Sequence, residues 1–323
     1  MRKWIIDVSS WQVLAPEQWA TMVANGLSGV IIKACQADTF VDSRLEEHLG
    51  HVRFHNLPFG LYQWVDPTRP PAAQADFFLA LVDKYQPTFA AADFEQYWAN
   101  WQEWYDKIVL HKNVPLTVIP SEAIFSNAQA YLSYLVARLK VNFVGYSAAW
   151  YIHDYCPPLI GLLNNYPFWN ASYLSWNKPS MAYTELDAFI ANLAPGQGFL
   201  PAGGTRWEMW QISPGLPLPG LPGLDFDLTR DDTVFDQFFG GQANPPYHPI
   251  NPGPAFKQYQ VIATAGLRVR STPAMADNNL YILKYGAIVV VYEVQNGWAR
   301  IKPDQQEWCS MQWLQELKPP PGP

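Results

Sequence analysis

The stretch TFAAADFEQYW, Thr88 to Trp98, leads small and apolar residues into two carboxylates separated by one phenylalanine. Read as a strand, it sets Asp93 and Glu95 on one face and Phe94 on the other, because side chains alternate with period two. Carboxyls crowded into an apolar setting repel each other's charge, so at least one keeps its proton to a higher pH. Such an acid can protonate a leaving group while an ionised neighbour stabilises positive charge at a sugar carbon, a division of labour that suits glycoside hydrolysis. Two other predicted strand ends offer partners: Asp7 in WIIDVS, and Asp225 or Asp227 in LDFDLT. The chemistry requires that these groups share one cleft.

The elements that must bring them together are short apolar runs alternating with helical patterns. WIIDVS is followed by the helix PEQWATMVANG, opened by Pro16 and closed by Gly26. GVIIKAC precedes the helix DSRLEEHLGHVRFHN, with Asp42 as its N-cap. PFGLYQWV, the helical AAQADFFLALVDKY and FAAADFEQY come next, then strands at VNFVGYS, PFWNASY, RWEMWQIS and LDFDLT. About eight near-continuous apolar strands predict a parallel sheet covered on both faces, closed as a TIM-like α/β barrel. In such a barrel, polar groups at the C-terminal strand ends form the active site. No Gly-rich loop follows the first strand, which argues against dinucleotide binding.

Phe238–Lys257, FFGGQANPPYHPINPGPAFK, has no apolar period and reads as a semi-rigid linker. The predicted organisation is a barrel over 1–240, a linker over 241–257, a small domain over 258–318 and a Pro-rich tail over 319–323. In the small domain YQVIATAGLRVRSTP, LYILKYGAIVVVYEVQNGWARIK and EWCSMQWLQEL read as short strands, with QNG as a hairpin signal, so a small all-β barrel is expected. The ending LKPPPGP reads as another linker, cut short.

The composition is globular, with 49% hydrophobic and 15% charged residues, and no run of eighteen apolar residues predicts a membrane span. The opening MRKWIIDVSSWQ reaches Asp7 too soon for a signal-peptide core. Up to Gly240 there are 14 Lys and Arg against 23 Asp and Glu, and no basic stripe suits nucleic acid. Cys35, Cys156 and Cys309 lie far apart with no C-x-x-C pair and are expected as buried free thiols. His48, His51 and His55 have metal-ligand spacing on one predicted helix, but that helix belongs outside the barrel, and a solvated face is expected. No nucleophile elbow occurs. A chitinase-type D-x-D-x-E motif would need an acid where Ala91 stands.

In order and spacing, these motifs resemble family 25 glycoside hydrolases, the lysozyme-type N-acetylmuramidases, over residues 4–235. IDVSSWQ is similar to that family's opening D-x-S-x-x-Q, GVIIKACQADTFVD to its second strand and following loop, GLYQW to G-x-Y-H-F and ADFEQY to its D-x-E. VGYSAAWY, FWNASY, WEMWQIS and FDLT fall in the family's order. The resemblance implies that Glu95 is the proton donor and that Asp93, Asp7 and Asp227 are its acidic partners, DLT selecting Asp227 over Asp225. It implies cleavage of the β-1,4 bond between N-acetylmuramic acid and N-acetylglucosamine, by attack of water or of the sugar's own acetamido group. In the second case Asp93 would orient the acetamido group.

Tyr62, Tyr146, Trp169, Tyr173 and Trp210 match family positions and are the candidate groove residues; the aromatics of YWANWQEWY are expected in packing. Three departures, Gln36, Gln63 and Ile212, are expected beside the cleft and bear on substrate preference. GLRVRSTP, GAIVVVYE and NGWARIK resemble bacterial SH3-like modules, which implies wall binding through aromatics such as Tyr281, Tyr285 and Trp298, or a spacer role. The expected partner is bacterial peptidoglycan, with no metal or organic cofactor, no nucleic acid and no membrane. A monomer is expected to act at the cell wall, extracellularly or after phage-lysin-type release. A non-catalytic wall-binding protein and a glycosidase acting on another polysaccharide are the rival readings.

Overall fold

The computed structural model describes residues 3–174, 181–193, 200–240 except 217 and 222, and 257–316 except 277, 292 and 303–305. The chain forms two compact units, Met1–Asn244 and Pro245–Pro323. The linker expected at 241–257 lies, apart from Lys257, outside the described residues, as does the tail over 319–323.

In the first unit the strands are β1 Trp4–Val8, β2 Gly29–Gln36, β3 Phe40–Val41, β4 Phe59–Trp64, β5 Phe89–Asp93, β6 Asn142–Ala148, β7 Phe168–Ala171, β8 Met209–Leu216 and β9 Leu224–Thr229. They are ordered β1-β9-β8-β7-β6-β5-β4-β2, and pairing of β1 with β2 closes an eight-stranded barrel; β3 hangs on β2 as a short hairpin arm. The eight predicted strands are all present. One orientation differs from the expected parallel sheet: β9 runs antiparallel to both β8 and β1. Between Leu216 and Leu224 the chain is too short for the crossover a parallel return needs, roughly a dozen residues.

The helices are α1 Pro16–Ala24, α2 Leu45–Phe54, α3 Pro71–Tyr85, α4 Trp101–Trp104 continuing into a π-helical turn Tyr105–Val109, α5 Ser121–Val136, α6 Ala149–Tyr155, α7 Leu159–Leu163, α8 Tyr183–Asn192 and α9 Asp232–Phe238. Pro16 opens α1 as expected, and Gly26 adopts a positive φ just past its end. Asp42 does not cap α2. The helix starts three residues later, and Asp42 instead accepts the amides of Arg44 and Ser10, tying the end of β1 to the approach to α2.

The expected solvated histidine face of α2 is also corrected. His48 is 0% exposed and His51 is buried. His51 stacks on Trp19 of α1 at 5.2 Å, and His48 Nε2 lies 3.0 Å from the Ser9 carbonyl, which puts its proton on Nε2. The imidazoles therefore serve as amphipathic packing between α2, α1 and β1, since each ring offers an apolar face and a donor.

At the N-terminal ends of the strands Phe89 fills the barrel. Its ring meets Phe238 and Phe239 edge-on at 5.5 and 5.1 Å, so the end of α9 covers that opening. Gly60 on β4 leaves room for Phe89, because a Cβ there would meet the ring at 2.3 Å. The three cysteines are free and buried.

The second unit contains β10 Lys257–Val261, β11 Leu267–Arg270, β12 Asn279–Leu283, β13 Ile288–Val291, β14 Glu293–Gln295, β15 Trp298–Arg300, β16 Trp308–Ser310 and β17 Leu314–Glu316. They form two antiparallel sheets, β13-β10-β17 and β12-β11-β16-β15-β14, around Val261, Val269, Ala299 and Cys309. Asn296 and Gly297 both have positive φ, the two-residue turn that QNG predicts, and join β14 to β15.

Candidate active site

A cavity of about 230 Å³ opens at the C-terminal ends of the barrel strands. Asp7 reaches it from β1, Lys33 from β2, Tyr62 and Trp64 from β4, Asp93 from β5, Tyr146 from β6, Trp169 from β7, Gln211 from β8 and Asp225 from β9. Glu95 and Tyr173 reach it from the segments just past β5 and β7, and Ser9, Trp11 and Gln12 from the turn after β1. Alternation explains the choice: Tyr62 and Trp64 point in, while Gln63 between them points out and is held there by the carbonyls of Ala37 and Gln74.

The acids are joined by a polarised chain of hydrogen bonds. Gln211 Nε2 donates to Asp7 Oδ2 at 2.6 Å, while Gln211 Oε1 accepts from the phenols of Tyr146 at 2.8 Å and Tyr173 at 3.1 Å. The two phenols fix which way the amide points. Asp7 is also hydrogen-bonded to Asp227, whose other neighbour is Trp169 Nε1, donating to Oδ1 at 2.7 Å. Asp227 is buried beneath the cavity rather than in its lining. The register shows why: antiparallel β9 places Asp225 beside Asp7, and Asp227 one step deeper beside Ile5.

Burial raises every carboxyl of this group. Asp227 is driven well above the usual carboxylate range by burial and by the charge of Asp7, so it keeps its proton and points it at Asp7 as a hydrogen-bond donor. Asp7 is raised to about 6 by burial, its charge supported by the bonds from Gln211 and Asp227. Half-buried Glu95 is raised to about 7 by burial, with Lys33 acting against the rise and the charge of Asp7 adding to it. Asp93 is raised well above its ordinary value by burial and by the charge of Glu95, against the pull of Lys33. Asp225 is raised to about 9 by burial and by the charges of Asp7 and Glu95, although Gln12 Nε2 donates to it at 3.0 Å. The cleft thus holds carboxyls of different proton affinity side by side, the requirement for pairing an acid with an ionised partner.

Of the sequence candidates, Asp7, Asp93, Glu95, Tyr62, Tyr146, Trp169 and Tyr173 meet in this cavity. Trp210 does not. It is 0% exposed on the other face of β8 from Gln211, donates Nε1 to the Ser172 carbonyl and packs against Trp207. Gln36, Gln63 and Ile212, expected beside the cleft, do not line it, but Gln36 Oε1 meets the lining residue Lys33 at 3.4 Å.

Lys33, Gln211, Asp225, Trp64, Trp11 and Gln12 are lining residues that sequence reasoning did not select as site residues. Lys33 had a signal, being the single charge in GVIIKACQ. Its ammonium sits 4.7 Å over the Trp64 ring and 3.4 Å from Gln36 Oε1, and burial lowers its proton affinity. Trp11 stands at the mouth, 71% exposed. Among the described residues no group of three or more His, Cys, Asp or Glu could hold a metal ion.

In the second unit Tyr281 and Tyr285 are exposed and Trp298 is half-buried. Trp298 lines a cavity of about 370 Å³ with Trp313, Met275, Ile282, Arg268 and Arg270; neither tyrosine does.

A model of "Glycosyl hydrolases family 25" matches residues 6–221, and one of "Bacterial SH3 domain" matches residues 265–315. The first match ends before β9 and so before Asp225 and Asp227. The first unit resembles solved structures that include a bacterial lysozyme from Streptomyces coelicolor, 17% identical with a TM-score of 0.54, covering 74% of this chain and 98% of that one. A muramidase from Acremonium alcalophilum is 19% identical, with a TM-score of 0.53 and coverage of 74% and 100%. A family 25 glycosyl hydrolase from Bacillus anthracis is 18% identical, with a TM-score of 0.51 and coverage of 74% and 94%. At these identities the likeness is one of fold. Comparison with curated protein sequences found no match.

Proposed function

The chain belongs to family 25 of the glycosyl hydrolases, and on that premise we propose that Glu95, Asp7 and Asp93 carry the cleavage of a glycan in the barrel's cleft. The protein is a glycoside hydrolase of the lysozyme type, a muramidase acting on peptidoglycan. Glu95 gives its proton to the glycosidic oxygen as the bond to the sugar's anomeric carbon breaks. Ionised Asp7 stabilises the positive charge left on that carbon, and Asp93 orients the attacking group. Asp227, deeper and protonated, is a positioning residue that supports the charge of Asp7. Exposed Tyr173 offers a face on which sugar C–H bonds pack, and the buried rings of Tyr62, Tyr146 and Trp169 shape the cavity beneath it.

One observation carries this assignment of roles: in a single cavity Asp7 accepts a hydrogen bond from Gln211 Nε2 at 2.6 Å, while Glu95 has no such donor among the described residues and burial raises its carboxyl. The group whose charge is supported ionises first and the unsupported one keeps its proton to act as the acid.

The second unit, which matches the bacterial SH3 domain, is proposed to hold the enzyme to the wall. Its exposed aromatics support that reading, as does the cavity beside Trp298 and Trp313. The working form is proposed to be a monomer, and its site of action the cell wall, reached by secretion or by phage-type lysis. Among the described residues no helix is long and apolar enough to cross a membrane.

The test is mass spectrometry of purified peptidoglycan after digestion. New reducing ends at N-acetylmuramic acid are expected. New reducing ends at N-acetylglucosamine, or none, would contradict the reading.

A further inference from the structure

The aromatic run YWANWQEWY is not accounted for by the catalytic cleft. It begins an excursion of the chain between β5 and α5. The excursion is closed at its base by hydrogen bonds from Ala99 N to Thr117 O and from Ile119 N to Tyr97 O, both 2.9 Å. Within it Asn100 Oδ1 caps α4 by accepting the amides of Gln102 and Glu103, and Glu103 Oε2 accepts the Thr117 amide at 2.8 Å. Lys112 pairs with Asp106 at 3.1 Å. These bonds make a tied arm of fixed shape.

Four indoles run from the cleft along this arm. Trp64, a lining residue, meets Trp98 at 5.8 Å. Trp98 stacks on Trp104 at 4.7 Å, and Trp104 meets Trp101 at 4.8 Å. Burial in the core accounts for Trp98. It does not account for Trp101, which is 51% exposed at the outer end of the series.

We propose that Trp101 is the platform of an additional glycan-binding subsite, outside the catalytic cleft, which holds the substrate strand where it continues past Trp64. The proposal rests on the muramidase reading for its ligand. The substrate is a polymer, and a cavity of about 230 Å³ is smaller than the roughly 300–1,000 Å³ that encloses a drug-sized ligand, so further sugars must lie on the surface. An indole face is a suitable floor for a pyranose ring, whose C–H bonds pack on the negative face of the π system. Continuity of the rings with the cleft favours the glycan over any occupant of the neighbouring exposed Ile108, Val109 and Leu110.

The test compares the full chain with Trp101→Ala and Trp101→Phe on long soluble glycan strands and on a tetrasaccharide. For Trp101→Ala, KM on long strands should rise roughly tenfold, the loss of about 1.4 kcal/mol of contact, with kcat unchanged and no rise on the tetrasaccharide. Trp101→Phe should recover most of the loss. Calorimetry of the same strands with Glu95→Gln and Glu95→Gln/Trp101→Ala reads binding alone, and the double variant should bind long strands about tenfold more weakly. That arm decides the subsite even if the chain cleaves nothing, an outcome that would count against the muramidase reading instead. Equal binding of long strands with and without Trp101 would overturn the subsite, and so would an equal loss on the tetrasaccharide. Loss of binding to lipid vesicles alone would assign the arm to a membrane and overturn it too.

Discussion

At the scale of residues, the fold supports the charge of Asp7 more than that of any other acid in the cleft, because Gln211 and protonated Asp227 both donate to it. Glu95 has no comparable donor and keeps its proton to about 7. The rate on soluble glycan should therefore rise as Asp7 ionises near about 6, fall as Glu95 loses its proton near about 7, and peak between. Measurement of kcat/KM from about pH 4 to about pH 9 checks this; a steady rise across the range would contradict it. Gln211→Leu removes a bond that lowers the proton affinity of Asp7, so its acid limb should move to higher pH while the alkaline limb stays. An unmoved acid limb would show that the amide does not set Asp7. Asp7, Asp93 and Glu95 were legible in sequence because each ends an apolar run. Gln211 and Lys33 were not selected, since a single polar residue in a buried strand does not announce its direction. Trp210 failed for the same reason: both faces of a barrel strand are apolar, so alternation alone cannot say which one looks inward.

At the scale of elements, one reversal explains the depth of the last acid. In a parallel strand Asp227 would lie nearer the mouth than Asp225; in antiparallel β9 the order is inverted. The strand was legible from its apolar pattern, and its direction could have been read from the short Pro- and Gly-rich connection before it. Helix α2 shows a second limit, because a histidine's type does not reveal whether it is solvated or packed. Buried His51 has its proton affinity lowered to about 4 from an ordinary 6.5. The unfolded chain takes up that proton near 6.5 and the folded one only near about 4, so stability should fall as pH drops through this interval and level off below it. His51→Phe keeps a ring on Trp19, and His51 Nδ1 has no hydrogen-bond partner among the described residues to be lost. It should reduce the loss of stability between about pH 7 and about pH 4.5 by roughly 2–3 kcal/mol, read by thermal or denaturant unfolding at each pH. An acid sensitivity equal to the parent's would place the labile group elsewhere.

At the scale of the molecule, the division into two units lets the tasks proposed for them be tested apart. A fragment ending at Asn244 retains α9, with Phe238 and Phe239 against Phe89, and every acid of the cleft. It should fold alone and cleave short soluble glycans as the full chain does. On intact walls it should be slower, by up to about a hundredfold, because a tether raises the local concentration of enzyme at its polymer. Equal rates on walls would reduce the second unit to a spacer, and loss of activity on short glycans would mean that the barrel is incomplete without it. The change from α/β to all-β patterning along the chain was legible in sequence. The aromatic arm after β5 was not, because its rings join the cleft only through the contact in space between Trp98 and Trp64, which lie on different segments of the chain. Among all these groups, Glu95 as proton donor is the one on which cleavage depends most. The most direct test is the rate at which full-length Glu95→Gln and parent protein release reducing-end N-acetylmuramic acid from soluble peptidoglycan strands. The variant should be slower by about two to four orders of magnitude with an unchanged melting temperature, and a rate near the parent's would contradict the assignment.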